Sequence, residues 1–260
     1  MVSSSLEARD VRTLFFEDSY CKRAKPGQYA MIWVPGIDEV PMSLSMIDEE
    51  GLSGVTVREV GKGTEALCKM VEGDSIGVRG PYGNWFEIVR GRVAIVGGGT
   101  GLAPLLPLAA ELAKLGSEVS FVIGGKTVEE VLFREKIGRL LTAREHKVIV
   151  TTEDGSYGRR GVVTDAFEDL LEEGVLDMVY TCGPEPMMRK VFDLAENRDV
   201  QIQASLERIV RCSIGLCGSC VIGRFRVCKD GLILSSERLR EVADEFGRFK
   251  RDFDGRRIYF

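Results

Sequence analysis

The sequence predicts an antiparallel β-barrel or sandwich domain, then an α/β nucleotide domain on a parallel sheet, then a small C-terminal segment built around cysteines. Three observations carry that prediction. Short β-rich runs broken by glycine and proline fill residues 1–90, short apolar strands alternate with longer helical stretches over 91–204, and four of the seven cysteines crowd into 212–228.

The chain of 260 residues is 44% hydrophobic and 29% charged, enough apolar content for two domains. A disordered chain and a disulfide-stapled miniprotein are excluded. With 35 basic against 40 acidic residues the net charge is -5, which lacks the basic footprint of a nucleic-acid binder. The N-terminal stretch has no signal-peptide apolar run, and no later run reaches the ~20 apolar residues of a membrane span. A cytoplasmic protein that binds neither nucleic acid nor membrane is expected.

In the first stretch, residues 28–34 and 54–60 read as strands, and a short helix is expected over 64–70, with Gly63 and Thr64 at its start and Glu65 in its first turn. The second stretch predicts strands at 92–96, 118–123, 147–151, 178–182 and 200–204, with helices at 102–115, 128–141, 163–173 and 185–197. Residues 205–260 show no clear core of their own and are expected to fold around whatever the cysteines hold. His146, the only histidine, sits among Arg144, Glu145 and Lys147 and reads as solvated surface.

Three motifs carry chemistry. Gly97, Gly98, Gly99, Thr100 and Gly101 run from a strand into a helix, which places backbone N–H groups where a phosphate can sit; Leu102 occupies the third glycine position of the ordinary dinucleotide fingerprint, so that fingerprint is absent. Pro104 and Pro107 fall in the helix's first turn, where a missing N–H costs little. Cys182, Gly183 and Pro184 end another strand and open another helix, a position that favours nicotinamide contact at the carboxyl end of a parallel sheet. The spacing Cys212-x4-Cys217-x2-Cys220-x7-Cys228 matches, in its first three members, the plant-type [2Fe-2S] pattern, with Gly215 and Gly218 letting the loop wrap tightly. Zinc competes, because four cysteines also make a tetrahedral site, although zinc ribbons usually pair two C-x2-C knuckles and here there is one.

Together these motifs resemble the ferredoxin–NADP reductase superfamily and, within it, the electron-transfer subunits of NAD-dependent dihydroorotate dehydrogenase, over essentially the whole chain. The resemblance implies a flavin domain at 1–90, a NAD domain at 91–204 and a [2Fe-2S] segment with its tail at 205–260. It places FAD against Val40, Pro41, Met42, Ser43, Leu44 and Ser45, where the family reads Arg-Pro-x-Ser and Val40 replaces the arginine that pairs with phosphate. A second FAD element is Thr56, Val57 and Arg58 leading to Gly61, Gly63 and Thr64, with Arg58 able to supply the missing charge. NAD is favoured over NADP mainly by resemblance, since Lys126 is followed by Glu129 and Glu130 with no arginine pair.

The implied activity is a relay. Electrons enter from an FMN-containing catalytic subunit that oxidises dihydroorotate, cross the [2Fe-2S] cluster and FAD, and leave to NAD+, in a heterotetramer of two subunits of each kind serving pyrimidine biosynthesis. No side-chain acid or base is needed, so no catalytic residue is expected. Arg208, Arg211 and Arg224 beside the cysteines are candidates for docking. Rival readings are a reductase subunit of a related complex, such as a sulfide dehydrogenase, NADH-dependent ferredoxin reductase or hydrogenase, and a non-enzymatic zinc-binding module.

Overall fold

The computed structural model describes residues 1–48 and 50–260. Strands β1 (Ser3–Ala8), β2 (Val11–Glu17), β3 (Tyr29–Val34), β4 (Asp38–Ile47), β5 (Leu52–Arg58) and β6 (Gly77–Tyr82) form one sheet in the order β1-β2-β5-β4-β3-β6. Every pairing is antiparallel, and among the described residues β1 does not pair with β6, which makes the layer barrel-like and open at one seam. Helix α1 (Lys62–Cys68) packs on β4 and β5 and adds Leu67 to the core of Leu14, Phe16, Ala30, Ile32, Val34, Leu44, Val55 and Val57. It starts two residues earlier than the expected 64–70, because Thr64 is its third residue and turns its hydroxyl back on the N–H groups of Val60 and Gly61.

Strand β3 explains how this layer joins the rest. Side chains alternate across a strand, so Ala30, Ile32 and Val34 enter the barrel core while Tyr29 and Met31 enter the larger core of the second domain. Both faces are apolar for that reason.

The second sheet contains β7 (Arg92–Gly98), β8 (Glu118–Gly125), β9 (Lys147–Thr152), β10 (Arg159–Arg160), β11 (Met178–Cys182) and β12 (Ile202–Ser205), all parallel, in the order β10-β9-β8-β7-β11-β12. Helices α2 (Leu105–Lys114), α3 (Arg134–Leu140), α4 (Val163–Glu172) and α5 (Glu185–Glu196) cover it. The chain builds outward from β7 through β8 and β9, then returns to β7's other side with β11. That reversal opens a crevice at the carboxyl ends of β7 and β11, the place where ligands bind such sheets.

Two helices differ from expectation. The 102–115 segment begins with a 3-10 turn, Gly99–Leu102, and becomes α-helical only at Leu105, with Pro104 as its cap. The 128–141 segment splits into a 3-10 turn, Val128–Glu130, and α3, because Val131, Leu132 and Phe133 turn into the core and Phe133 takes φ 59°.

The C-terminal segment carries a small hairpin, β13 (Val221–Ile222) with β14 (Phe225–Arg226), then α6 (Val227–Asp230), β15 (Ile233–Ser235), α7 (Ser236–Glu241) and a final hairpin, β16 (Phe249–Arg251) with β17 (Arg257–Tyr259). β15 adds to β12 as an antiparallel edge of the nucleotide sheet, and Leu232, Ile233, Leu234, Leu239, Val242 and Phe246 join the common core. The Asn84 side-chain amide donates to Ile233 O and accepts from Ile233 N, both at 2.8 Å, tying the end of the barrel domain to this strand.

Candidate functional site

The crevice between β7 and β11 is a cavity of about 690 Å³ whose walls include Gly98, Gly99, Thr100, Gly101, Cys182, Gly183 and Pro184. Gly97 lies just behind it, paired with Cys182 across the two strands. The glycines are there for close approach. A Cβ on Gly101 would fall 2.5 Å from Gly183 Cα, so the two loops touch backbone to backbone, and one on Gly97 would fall 2.7 Å from Leu102 Cδ2. Gly99, at φ +57°, has open space on its Cβ side and faces the cavity. Thr151 lines the same cavity, and its buried hydroxyl finds no partner among the described residues. Burial pushes the Cys182 thiol up to about 12, the Ser205 hydroxyl pulling it partly back, so it stays protonated at neutral pH.

A second cavity of about 380 Å³ lies between the domains. Of the twelve barrel residues expected at the flavin, Pro41, Met42, Ser43, Thr56, Arg58 and Thr64 line it. The others do different work. Leu44 and Val57 point into the barrel core, Ser45 is buried and accepts a hydrogen bond from Thr56 at 3.0 Å, and Val40 packs against Gly63, where a Cβ would come within 3.0 Å of it. Gly61 and Gly63 shape the start of α1, whose Thr64 hydroxyl accepts from Gly61 N at 2.9 Å and Val60 N at 3.0 Å, so these two donors are already satisfied. Arg58 pairs with Asp10 at 3.4 Å and remains the one basic side chain lining both cavities. The cavities meet at Arg58, Thr100, Gly101, Cys182 and Glu207.

Arg208 is a correction. Expected as a docking charge, its side chain is 2% exposed and forms a two-pronged ion pair with Glu185, itself 5% exposed at the start of α5. Glu185 also accepts from Gly247 N at 2.9 Å, so one buried carboxylate ties the loop after β11, the approach to the cysteines and the C-terminal segment. Arg208 Nε is buried without a partner on the wall of the smaller cavity. Arg211 stacks over Phe253 at 4.8 Å and Arg224 pairs with Glu241 at 2.7 Å, so neither is a lone charge. His146 is not simply solvated either: its Nδ1 accepts from Val119 N at 3.2 Å.

The four cysteines converge in two pairs. Cys212 and Cys217 interact through their side chains, and so do Cys220 and Cys228. Backbone N–H groups turn toward sulfur: Leu216 N and Cys217 N donate to Cys212 Sγ at 3.3 and 3.5 Å, and Cys228 N donates to Cys220 Sγ at 3.4 Å. The N–H groups of Cys217, Ile214 and Leu216 pull Cys212 down to about 6, and Ser219 lowers Cys217. Burial and the neighbouring Cys220 push Cys228 up to about 12. Among the described residues no three His, Cys, Asp or Glu side chains gather as a single ion needs. Sulfurs presented in two pairs, with N–H donors around them, suit an iron–sulfur centre that spreads its ligands over two metals. Gly215 takes φ +77° and has no room for a Cβ beside Lys229, and Arg226 donates to its carbonyl at 3.0 Å.

Tyr29 went unnoticed in the motif reading. Its side chain lines the smaller cavity, and its hydroxyl faces Ser213 near Cys220 and Cys228. The only sequence signal was its place in an apolar strand.

Residues 95–193 match the oxidoreductase NAD-binding domain family. The chain is 39% identical over 238 residues to "Probable dihydroorotate dehydrogenase B (NAD(+)), electron transfer subunit" of Methanocaldococcus jannaschii, covering 91% of this chain and 88% of that one. The same-named protein of Thermoplasma acidophilum is 39% identical over 253 residues, covering 97% and 94%. Among solved structures, that of an NADH-dependent reduced ferredoxin-NADP oxidoreductase is 33% identical with TM-score 0.82, covering 94% of this chain and 92% of that chain. The flavohem-like FAD/NAD binding domain of a Vibrio cholerae nitric oxide dioxygenase, at 22% identity and TM-score 0.64 over 76% of this chain and 91% of that one, shares the fold.

Proposed function

This chain belongs to the family of dihydroorotate dehydrogenase B (NAD(+)) electron transfer subunits, and we propose that it relays electrons from a dihydroorotate-oxidising, FMN-containing catalytic subunit to NAD+. The observation that carries the reading is the junction of the two cavities at Arg58, Thr100, Gly101, Cys182 and Glu207, with the cysteine pairs beyond Tyr29. NAD belongs in the larger cavity, FAD in the smaller, and one [2Fe-2S] cluster on Cys212, Cys217, Cys220 and Cys228. When bound, a nicotinamide exchanges two electrons as hydride, an iron–sulfur centre one at a time, and a flavin can do both.

The residues of this chain hold and insulate these groups. Arg58 supplies positive charge for phosphate where Val40 supplies none. The close Gly101–Gly183 contact keeps the floor of the crevice free of side chains, and the protonated Cys182 thiol sits where the cavities join. NAD is favoured over NADP by the family, the cavity wall carrying Glu130 and Glu153 beside Lys126 with no arginine pair to hold a 2′-phosphate. No side chain needs to move a proton. With the two inter-domain cavities assigned to NAD and FAD, we assign dihydroorotate oxidation to the catalytic subunit, in an assembly of two of each in the cytoplasm. No helix among the described residues is long and apolar enough to cross a membrane.

The likeness to the ferredoxin-NADP oxidoreductase structure favours a second reading, a subunit of a complex that handles reduced ferredoxin. Anaerobic purification with the native partner separates the two. Two irons, two acid-labile sulfides and one FAD per chain, with NADH formed from dihydroorotate only when the partner is present, is the expected result. Stoichiometric zinc without iron, or a partner that exchanges electrons with ferredoxin and leaves dihydroorotate untouched, would overturn it.

A further inference from the structure

Two buried hydroxyls stand between the flavin-side cavity and the cysteine loop, and neither finds a hydrogen-bond partner among the described residues. Tyr29 is 2% exposed and Ser213 3% exposed, and both Tyr29 Oη and Ser213 Oγ are unsatisfied. Buried polar groups are nearly always paired, so each such orphan calls for an acceptor. Their positions point to the same one. The Tyr29 hydroxyl lies beside Ser213 and within electrostatic reach of Cys228 and Cys220. Ser213 follows Cys212 and takes φ 59°, a left-handed conformation that serine rarely adopts. Around them the loop is anchored to the barrel: Arg79 donates to Tyr82 Oη at 3.2 Å and reaches Cys212 O at 3.5 Å, and the Tyr82 ring lies 5.8 Å from that of Tyr29.

We propose that the Tyr29 and Ser213 hydroxyls are hydrogen-bond donors to the sulfurs of the iron–sulfur cluster and thereby raise its reduction potential, an inference that rests on the cluster reading of the four cysteines. Reduction adds negative charge to the sulfurs, and a fixed donor stabilises the more negative state more. The four thiolates hold the cluster, and the two hydroxyls set how readily it accepts an electron. Tyr29 also lines the flavin-side cavity.

The test compares the full chain, purified anaerobically, with Tyr29→Phe and Ser213→Ala, measuring iron, acid-labile sulfide and FAD before an EPR-monitored redox titration. Both variants keep iron, sulfide and FAD, and each lowers the cluster midpoint by up to about tenfold in the redox equilibrium, about 59 mV for a one-electron couple. Midpoints equal to wild type at full iron content overturn the proposal and leave the cluster reading standing. Loss of iron from both variants also counts against it, because a tuning donor does not hold the cluster. Wild-type protein without iron overturns the cluster reading itself, and this inference with it.

Discussion

The glycine loops at the ends of β7 and β11 and the cysteine loop beyond β12, both proposed to bind cofactors, are built on opposite principles. The nucleotide crevice is shaped by what is missing: Gly101 meets Gly183 with no side chain between them, and the cavity follows from strand order and backbone contact. The cysteine loop is shaped by what its side chains offer, with N–H groups turned on Cys212 and Cys220 while Ile214 and Leu216 stay exposed. The first is a product of packing and stands without ligand. The second is expected to gain order from what its sulfurs bind.

The sharpest way to break that contrast is Cys217→Ser. The residue is exposed, so its replacement creates no cavity, and the account expects complete loss of the iron–sulfur EPR signal with NAD affinity changed less than about twofold. Equilibrium titration with NADH checks the second half. If the crevice fails as well, the two regions are not independent.

Next in size is Arg208→Met, which strands the Glu185 carboxylate in the protein interior. Breaking a buried pair from one side typically costs about 3–5 kcal/mol, read as a lower denaturation midpoint. Because Glu185 also holds Gly247 N, this variant should loosen both regions together, visible as faster amide exchange in the crevice and in the C-terminal segment. Gly101→Ala is expected to cost about 1–3 kcal/mol by overpacking and to weaken NAD binding while leaving iron content unchanged.

The smallest effect is electrostatic. Arg79 grips Glu39 through two hydrogen bonds, at 2.6 and 2.8 Å, and holds its carboxyl below the usual range. A depressed folded-state value means stability that is present above the unfolded carboxylate range and lost as pH falls through the folded value. The pair is partly exposed, so screening limits Glu39→Gln to about 0.2–1 kcal/mol near neutral pH. The difference from wild type should vanish in acid, in denaturant titrations run at both pH values.

What could be read in the sequence follows the same division. The glycine loop, the Cys-Gly-Pro strand end and the four cysteines are chemistry written in neighbouring residues; Gly- and Pro-punctuated β-rich runs marked the first sheet, and strands alternating with helices the second. Unread were the features that need the fold to bring distant residues together. Glu185 and Arg208 are 23 positions apart and meet only because β12 lies beside β11. Tyr29 reaches the cysteine loop through the barrel's shared face, Asn84 reaches Ile233 across 149 positions, and β15 was hidden because three residues carry too little period to mark a strand. Val40 shows the converse: its apolar side chain, out of place in a phosphate clamp, packs against the start of α1.

If the two regions work in series, electrons from dihydroorotate reach NAD+ only through an intact cysteine loop. NADH formation is followed after mixing dihydroorotate, NAD+, the catalytic partner and either the wild-type chain or Cys217→Ser, each with its FAD content verified. The account predicts NADH only with the wild-type chain and partner together, and none with the variant although it still binds NAD and FAD. NADH formation at the wild-type rate by Cys217→Ser, or dihydroorotate oxidation by this chain alone, would contradict it.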